Sequence, residues 1–447
     1  MLVLLLACAD APTDPAAVLT DPGDAPTWYA DVAPIVAEHC TGCHAEGAIG
    51  PFPLDTYAAA APMAPLLADA VEAGTMPPWS AKESETCEPR FGWKGDLRLD
   101  EDQKGTLRAW ADAGAPEGDP ASAAVLPEPP RLDLDRVDQE LTPVQAYTTG
   151  GDTDEYVCFT IDPGLTETAW LTGVQVVPSN GQVVHHVLAF IDTTGASADL
   201  GGADGTYDCF GASVPDAQLA MVWVPGATAF EVPEGSAIQV PAGARYVLQV
   251  HYHPAGVVAA EDLTRLQLRY QSSWPSSLTF LTLLGNAWSA ASGLAADPDD
   301  RTSSPEFRIP ANSGAHTESM SVALTGLPDL ALFLVGTHMH YVGVDMQIDL
   351  LHGDPVGDEP DQECLLQTAW DFDWQRAYVY DAPIGEGVMV HGSDTLALRC
   401  SYDNTLDNPG VRRSLEDAGL TEPQDVFLGE STLDEMCLGM FGVVYAF

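Results

Sequence analysis

The stretch Val183-Val-His-His-Val-Leu-Ala-Phe190 decides how the rest of the chain is interpreted, because it places two adjacent histidines inside an apolar run typical of a β-strand. Two later stretches share this character, Leu248-Gln-Val-His-Tyr-His253 and Val335-Gly-Thr-His-Met-His-Tyr341. A fourth, Leu433-Asp-Glu-Met-Cys437, follows near the C-terminus. A buried imidazole without a partner costs free energy, so this recurrence indicates that a ligand binds the histidines, most simply a metal ion.

From about residue 138 onward, short apolar runs alternate with Gly, Pro and Asp, and helical periodicity is absent. This pattern predicts many short strands, as in antiparallel β-sandwiches or jelly rolls. The remaining length exceeds one such domain, so we expect two β-sandwich domains, at residues 138–278 and 279–447. The predicted strands span residues 156–161, 174–177, 183–191, 218–224, 246–252, 265–270, 278–283, 320–324, 331–335, 346–350, 395–399 and 441–445.

The composition excludes one class of partner. The 447 residues include 17 Lys and Arg against 66 Asp and Glu, a formal charge of −49. Nucleic acid is excluded, because proteins bind phosphate backbones through basic patches. We interpret the charge as a solvated acidic surface that favours solubility. After the first residues, no run of about 18 apolar residues predicts a membrane span.

The chain begins Met1-Leu-Val-Leu-Leu-Leu-Ala-Cys8. This run resembles the lipobox of bacterial lipoproteins, which implies export and lipidation at Cys8; the alternative is an inert leader cysteine. The other cysteines favour an oxidising compartment. We expect residues 1–25 to be a signal and a flexible tether, and the protein to be periplasmic or an outer-membrane or cell-surface lipoprotein. Membrane contact would then be made only through the lipid.

Cys40-Thr-Gly-Cys-His44 has the spacing of a c-type haem attachment site. Each thiol adds to one haem vinyl group, and the adjacent histidine reaches the iron. The alternatives are a disulfide or half of a zinc site, but no second Cys-x-x-Cys exists in the chain to complete a zinc ribbon. We therefore predict haem c bound by Cys40, Cys43 and His44.

The second axial ligand of this haem is expected downstream. Met76 is the first candidate, because the prolines after it hold an extended segment, and Met63 is the alternative. His39 is interpreted as a helix-surface residue. Residues 26–118 resemble a small all-α cytochrome c, and the Pro-rich residues 119–137 would be a stiff linker.

His338-Met-His340 predicts one half of a metal site, because residues i and i+2 of a strand point to the same face. A methionine as third ligand favours copper, particularly Cu(I), because its sulfur is soft. Met436 can serve as that ligand, and Cys437 beside it can pair with Cys400 and hold the strand in place.

His185, His186 and His251 predict a second site. Adjacent histidines cannot both point to one side of a regular strand, so a twist, a bulge or the use of different ring nitrogens is required. His253 shares a face with His251, and one of these two residues is then not a ligand.

These four stretches, in this order, resemble the copper type II, ascorbate-dependent monooxygenases, the family of peptidylglycine α-hydroxylating and dopamine β-monooxygenases. The resemblance covers about residues 140 to 447. It implies two copper ions, and the use of O2 and an electron donor to hydroxylate a C–H bond of a small organic substrate. By this resemblance, one copper stores an electron and the other is the copper at which O2 reacts. Their ligands would be His185, His186 and His251 for the first, and His338, His340 and Met436, the catalytic residues, for the second. A Cys158–Cys209 disulfide also matches the family.

The sequence departs from the peptide-amidating members, which hold a substrate carboxylate with an arginine, an asparagine and a tyrosine. Those positions are Gly336, Leu438 and Met440 in this chain. A peptidylglycine substrate is therefore not expected, and the apolar replacements favour a small hydrophobic or aromatic substrate.

Several questions stay open at this level. The relatives take electrons from ascorbate; we expect an ascorbate-like reductant or a redox protein, and our hypothesis is that the fused haem passes electrons to the histidine-only copper. The rival functions are a non-enzymatic haem and copper electron carrier or copper-binding protein, and an adhesive β protein with core histidines. Cys87 and Cys364 are either free or paired with each other. Three histidines are interpreted as surface or loop residues: His316, His352 and His391.

Overall fold

A computed structural model describes residues 25–447 apart from 47–49, 128–132, 151–153, 210–213, 215, 226, 254–258, 287–292, 430 and 432. Cys8 lies outside the described residues. The chain divides into two compact units. One comprises the residues up to Pro77 together with Leu97–Pro129, and is called the helical unit; the other comprises Pro78–Asp96 and Pro130–Phe447, and is called the β unit.

The described residues of the helical unit form four α-helices: α1 (Ala33–His39), α2 (Tyr57–Ala60), α3 (Ala64–Glu72) and α4 (Glu101–Asp112). A π-helical turn (Trp28–Val32) precedes α1, and 3₁₀ turns occupy Ala61–Met63 and Pro120–Ser122. Asp100 is the N-cap of α4 and forms a reciprocal capping box with Gln103. The apolar faces meet in a core that includes Trp28, Leu107 and Trp110.

The β unit is made mainly of strands, which confirms the predicted β-rich fold. Its strands are β1 (Gln139–Leu141), β2 (Tyr147–Thr148), β3 (Glu155–Ile161), β4 (Ala169–Val177), β5 (Val184–Asp192), β6 (Thr206–Asp208), β7 (Gln218–Trp223), β8 (Phe230–Glu231), β9 (Ser236–Val240), β10 (Arg245–Tyr252), β11 (Glu261–Asp262), β12 (Arg265–Gln271), β13 (Ser277–Asn286), β14 (Arg308–Ile309), β15 (His316–Ala323), β16 (Leu330–His338), β17 (Gly343–Leu351), β18 (Gln362–Ala369), β19 (Ala377–Val379), β20 (Val388–Val390), β21 (Thr395–Tyr402), β22 (Val426–Phe427) and β23 (Cys437–Ala446). Two helices join them, α5 (Ala196–Gly201) and α6 (Pro409–Asp417).

The twelve predicted strands all coincide with strands of the structure. Most strands belong to one extended sheet whose central order is β9-β13-β7-β5-β10-β3-β6, with β23 and β16 continuing from β13. A separate four-stranded sheet has the order β15-β21-β17-β18. One core lies among residues of the first half, such as Val187 and Leu248, and another in the second half, around Val335 and Ile348.

Two boundaries differ from those predicted. Strand β13 pairs with β7 from the first half and β23 from the second, so it crosses the predicted boundary at residue 278. Residues 78–96, expected in the haem domain, belong to the β unit. Ala81 forms a β-bridge with Thr368, and the Lys94 N–H donates to the Val379 carbonyl. Local sequence could not reveal these long-range backbone pairings.

Three disulfides brace the β unit. Cys158 pairs with Cys209 and Cys400 with Cys437, the two pairings anticipated above. The third joins Cys87 to Cys364 and settles the open question about these residues. Three disulfides indicate that the chain folds in an oxidising compartment. Among the helices that the structure describes, none is long and apolar enough to cross a membrane.

Candidate metal centres

A β-bulge brings the first histidine group together (His185, His186 and His251). Strands β5 and β10 are antiparallel neighbours, and His251 lies opposite His186. The register then shifts, so that Tyr252 pairs with Val184 and His185 is left as the extra residue. A bulge re-aims side chains locally, and this one lets adjacent histidines serve one centre.

The Nδ1 atoms of the first histidine group converge. Nδ1 of His186 lies 3.2 Å from Nδ1 of His185 and 3.4 Å from Nδ1 of His251. A ring nitrogen carries one proton or one lone pair, so His186 Nδ1 cannot hydrogen-bond to both neighbours at once. Nitrogens held about 2 Å from one ion in tetrahedral geometry lie about 3.3 Å apart. These residues therefore fit a shared metal ion.

Surrounding groups orient the ring of His251. It stacks on Tyr156 with centroids 4.3 Å apart, and its Nε2 lies 3.3 Å from Oδ1 of Asp154. A carboxylate behind a ligating histidine is a common arrangement at metal sites. His253 is not part of the converging group: its Nδ1 lies 2.7 Å from the same Asp154 oxygen. Of the two residues, the geometry therefore favours His251 as the metal ligand.

The second histidine group (His338 and His340) presents the other ring nitrogens. Nδ1 of His338 lies 2.8 Å from Oε1 of Gln375, and Nδ1 of His340 lies 3.1 Å from the carbonyl oxygen of Asp434. These oxygens accept, so each Nδ1 carries the proton and each Nε2 keeps its lone pair. The rings lie 5.2 Å apart between centroids and are nearly perpendicular. The two imidazoles can therefore offer Nε2 atoms to a metal.

Burial keeps the five imidazoles neutral. It lowers the pKa of His185 to about 3, with the neighbouring His251 and His253 acting in the same direction. Burial, and then the neighbouring His338, lowers the pKa of His340 to about 3. The pKa values of His186, His251 and His338 are lowered as well, mainly by burial. Neutral imidazoles keep the lone pair that a metal needs.

A single carboxylate ties Met436 to His340. Glu435 is fully buried and accepts hydrogen bonds from the backbone N–H groups of both residues. The Met436 carbonyl accepts from the Tyr402 hydroxyl, and the next residue is in the Cys400–Cys437 disulfide. Met436 is itself buried and packs with Leu438. The methionine backbone is thus held beside the second histidine group, and its role as a ligand stays a prediction.

The three residues at the positions of the family's substrate clamp lie on two neighbouring strands. Gly336 and Met440 lie opposite each other on β16 and β23, and Leu438 is opposite His338. A Cβ added at Gly336 would meet the backbone and side chain of Ala377 at 3.3 Å, so this position has little room for a larger residue.

The haem motif lies between α1 and α2 in the helical unit. Cys40 and Cys43 are half-buried, and neither belongs to the three disulfides. Nδ1 of His44 lies 2.9 Å from the Phe52 carbonyl oxygen, which can only accept, so Nε2 is left with the lone pair. The residues of the motif therefore fit an iron ligand at His44 Nε2.

The candidates for the second axial ligand differ in their packing. Met63 is partly buried against the core of the helical unit, whereas Met76 follows α3 and donates its N–H to the Ala70 carbonyl. The choice of Met76 stays a prediction. His39 is not a surface residue: its side chain is buried, with Nδ1 3.0 Å from the Leu97 carbonyl oxygen. The spacing of residues along α1 could not predict the burial of His39, because its partner, Leu97, lies 58 residues away in the chain.

Two histidines interpreted as surface or loop residues are also buried. His352 does lie in a loop, after β17, but not on the surface, whereas His316 is the first residue of β15 and the interpretation is wrong for it. His352 lies between Glu363 and Asp394, at 3.1 and 3.2 Å. His316 is 4% exposed and contacts Glu318. His391, with a 14% exposed side chain, contacts Asp329 and Glu359. Carboxylates make these sites polar, and the position of these carboxylates beside each histidine depends on the tertiary structure.

Comparisons with known proteins identify no relative. No protein-family model matches the sequence. No curated protein matches it either. The chain aligns with the major capsid protein P2 of bacteriophage PM2 over 69% of its own length and 97% of that chain, at 10% identity and a TM-score of 0.27. It aligns with PNGase F, a glycosylasparaginase of Flavobacterium meningosepticum, over 69% and 96%, at 11% identity and a TM-score of 0.25. Scores this low carry no assignment of fold family or function.

Proposed function

We propose that this chain is a copper-dependent monooxygenase that hydroxylates a C–H bond of a small organic substrate. The observation that carries the proposal is the contrast between the two histidine groups. In the first group, the Nδ1 atoms of His185 and His251 lie 3.2 and 3.4 Å from Nδ1 of His186. The second group offers Nε2 atoms beside a buried methionine. Two unlike centres suit a division of labour between electron storage and reaction with O2, which a plain copper store does not need.

The overall reaction is R–H + O2 + 2 electrons + 2 protons → R–OH + H2O. Copper, when bound, supplies one-electron chemistry and reaction with O2. His185, His186 and His251 would hold one ion, and His338, His340 and Met436 the other; a thioether favours Cu(I). Gln375 and the Asp434 carbonyl keep the protons on Nδ1 of the second histidine group and so fix the tautomer.

The proposed substrate is small and hydrophobic. Leu438, Met440 and Gly336 supply no charge that would hold a carboxylate, and Leu438 packs on Met436. Specificity would then come from apolar contact, which rejects charged molecules through the cost of their desolvation.

The proposed electron donor is the helical unit with haem c, or an external ascorbate-like reductant. In that unit Cys40 and Cys43 would bind haem c through thioethers, and His44 Nε2 would ligate its iron. We propose that the helical unit is cytochrome c-like and that the β unit forms two sandwiches. The location would be the periplasm or the cell surface, with Cys8 as the site of lipidation.

The test begins with metal content and ligand type. Full-length protein expressed with haem-maturation factors should contain about two coppers and one covalent haem per chain, and X-ray absorption of the Cu(I) form should show a sulfur ligand. M436I should lose the sulfur signal and keep the first copper, whereas H186A should lose the first copper and keep the sulfur signal. Purified protein without haem would contradict the proposal that haem c is the electron donor. A sulfur signal in M436I would contradict the proposal that Met436 ligates the second copper.

Activity is tested with ethylbenzene as a small aromatic probe. With ascorbate and ¹⁸O2, the proposal expects 1-phenylethanol carrying one labelled oxygen, in wild-type protein but not in M436I. L438R, which places a charge beside the methionine, should bind copper and lose turnover. A panel of small apolar substrates without any copper-dependent labelled product would instead favour an electron carrier.

A further inference from the structure

Strand β15 carries two polar residues, His316 and Glu318, on its inward face. His316 and Glu318 are 4% and 1% exposed, whereas Thr317 between them is exposed. Residues i and i+2 share a face, so both polar side chains occupy positions that apolar residues take elsewhere on the strand, such as Met320. Burying both an imidazole and a carboxylate is costly unless a partner binds them.

A third ligand comes from the segment after β13. This segment runs beside β15: the Ala295 N–H donates to the Ser319 carbonyl, and the Ser321 N–H donates to the Gly293 carbonyl. Leu294 lies opposite Met320, so three residues further on Asp297 reaches the level of the strand between His316 and Glu318. One ligand atom from each of Asp297, His316 and Glu318 lies within 4.8 Å of the other two.

One oxygen of the Glu318 carboxylate lacks a hydrogen-bond partner. Oε1 lies 3.0 Å from Nε2 of His316 and accepts from the backbone N–H of Arg308 at 3.1 Å. Oε2 is buried, and no group in the described part of the chain hydrogen-bonds to it. The guanidinium of Arg308 does not compensate, because its ion pairs are with Glu306 and Asp425. A buried carboxylate oxygen in this state costs about 1–3 kcal/mol or more.

We infer that Asp297, His316 and Glu318 form a binding site for a divalent cation, with zinc as the expected occupant. One imidazole nitrogen and two carboxylates are ligands that Zn²⁺ takes, with a water in the fourth position. The set differs from the histidine and methionine ligands assigned to copper, because it contains no soft sulfur. This inference does not depend on the proposed function, since its residues are separate from both histidine groups.

The site would have a structural consequence. Asp297 belongs to a loop whose own backbone is ordered by carboxylates: the Glu306 N–H donates to Asp300, and the Asp299 N–H donates to Asp297. A cation shared by this loop and β15 would cross-link the connection between β13 and β14 to the four-stranded sheet. Binding to the folded state alone raises stability with the concentration of the free ion.

The competing occupant is a proton. Without a metal, His316 and Glu318 would form a buried ion pair or share a proton, and the orphaned oxygen would be explained by a protonated acid. A metal site predicts that the full-length protein binds zinc at these residues, whereas a protonated His316–Glu318 pair predicts that it does not. Zinc binding to the full-length protein therefore decides between them.

The experiment uses full-length protein stripped with a chelator, loaded with copper, then dialysed against Zn²⁺ and assayed for both metals. Wild-type protein should retain one zinc per chain and unfold at a higher Tm with zinc than without. E318Q should retain none, and D297N should bind zinc at least tenfold more weakly. The matched control E363Q alters the other buried His–Glu contact, at His352, and should retain one zinc.

X-ray absorption at the zinc edge locates the ion. The inference expects one imidazole with oxygen ligands, and a spectrum with three imidazoles would place the zinc in the first histidine group and overturn it. Equal zinc content in wild type and E318Q, or no zinc in wild type, would also overturn it. If E318Q does not fold, D297N decides, because Asp297 is only partly buried. Copper content and turnover test the proposed function separately.

Discussion

The imidazole ring of His185 and the phenyl ring of Phe372 stack with their centroids 4.8 Å apart and their planes 19° apart. The Phe372 ring centroid also lies 6.4 Å from that of His340. Phe372 is buried at 9% exposure and has no metal-ligating atom. One aromatic side chain therefore contacts both histidine groups, although these come from different halves of the β unit.

We expect F372L to separate metal binding from turnover. Leucine keeps an apolar side chain but removes the face that orients His185, so both coppers should still bind while the Cu(II) EPR spectrum of the first centre changes. Labelled product per O2 consumed should fall several-fold. The stability cost should stay below the about 3–5 kcal/mol typical of Phe→Ala.

The control for this change is F333L, which shortens another buried aromatic side chain on β16. It should lower Tm without altering the EPR spectrum. If F372L and F333L gave the same EPR spectrum and the same yield of labelled product per O2 consumed, the role of Phe372 would be limited to packing.

We expect the Cys400–Cys437 disulfide to support the second centre as well as stability. C400S/C437S should lower the free energy of unfolding by about 2–4 kcal/mol and weaken retention of the sulfur-ligated copper, because Met436 adjoins the bridge. C158S/C209S is the matched control, since the bridges close similar spans of 37 and 51 residues. It should lower the free energy of unfolding, measured by denaturant unfolding, by a similar amount and leave the sulfur signal of the Cu(I) form intact. Equal loss of that signal in both variants would contradict the local role.

Asp192 should contribute stability that disappears in acid. Burial alone would raise its pKa, but hydrogen bonds from Thr194 and Ser197 to the carboxylate outweigh burial and lower the pKa to about 2. The folded-state pKa is thus below the unfolded value of about 3.9, so the contribution is present above pH 4 and lost as the pH falls towards 2. D192N should destabilise by about 1–3 kcal/mol at pH 7 and by less at pH 2.5.

Thermal unfolding across this pH range checks the prediction. D162N is the control, because the Asp162 side chain is 62% exposed and should matter little. A D192N penalty of the same size at pH 7 and pH 2.5 would contradict the assignment.

His391 should act in the opposite direction. Hydrogen bonding to Asp329 raises its pKa against the effect of burial, and Glu359 adds to the rise. The folded-state pKa is thus above the unfolded value of about 6.5, so the stabilisation is complete below that value and is lost as the pH rises through the folded-state pKa. H391Q should lower Tm at pH 5.5 and have little effect at pH 9. The loss at pH 5.5 should correspond to about 1 kcal/mol or less, because the His391–Asp329 pair is near the surface. D329N should show the same trend, and a pH-independent H391Q penalty would speak against it.

Much of the β unit was predictable because its strands are local patterns of apolar residues. Strand β18 was missed, since Gln362–Ala369 mixes Glu, Gln and Thr with its apolar residues and is buried along most of its length. Burial of His316 and His352 was not predicted for a related reason. Each imidazole contacts carboxylates, Glu318 for His316 and Glu363 and Asp394 for His352, and spacing alone does not show that these pairs are buried together. Burial of polar residues depends on partners, and partners are set by topology.

The sequence by itself determined which ligands are available and how they are spaced: adjacent histidines, a His-x-His pair, a Met-Cys pair and a Cys-x-x-Cys-His motif. Only the tertiary structure decided that His185 and His186 face one centre, that Nδ1 atoms converge there while Nε2 atoms are offered at His338 and His340, and that Phe372 lies against both groups. The physical reason is that these features follow from a one-residue register shift between β5 and β10 and from hydrogen bonds to side chains and carbonyls distant in sequence. Neither is encoded in local spacing.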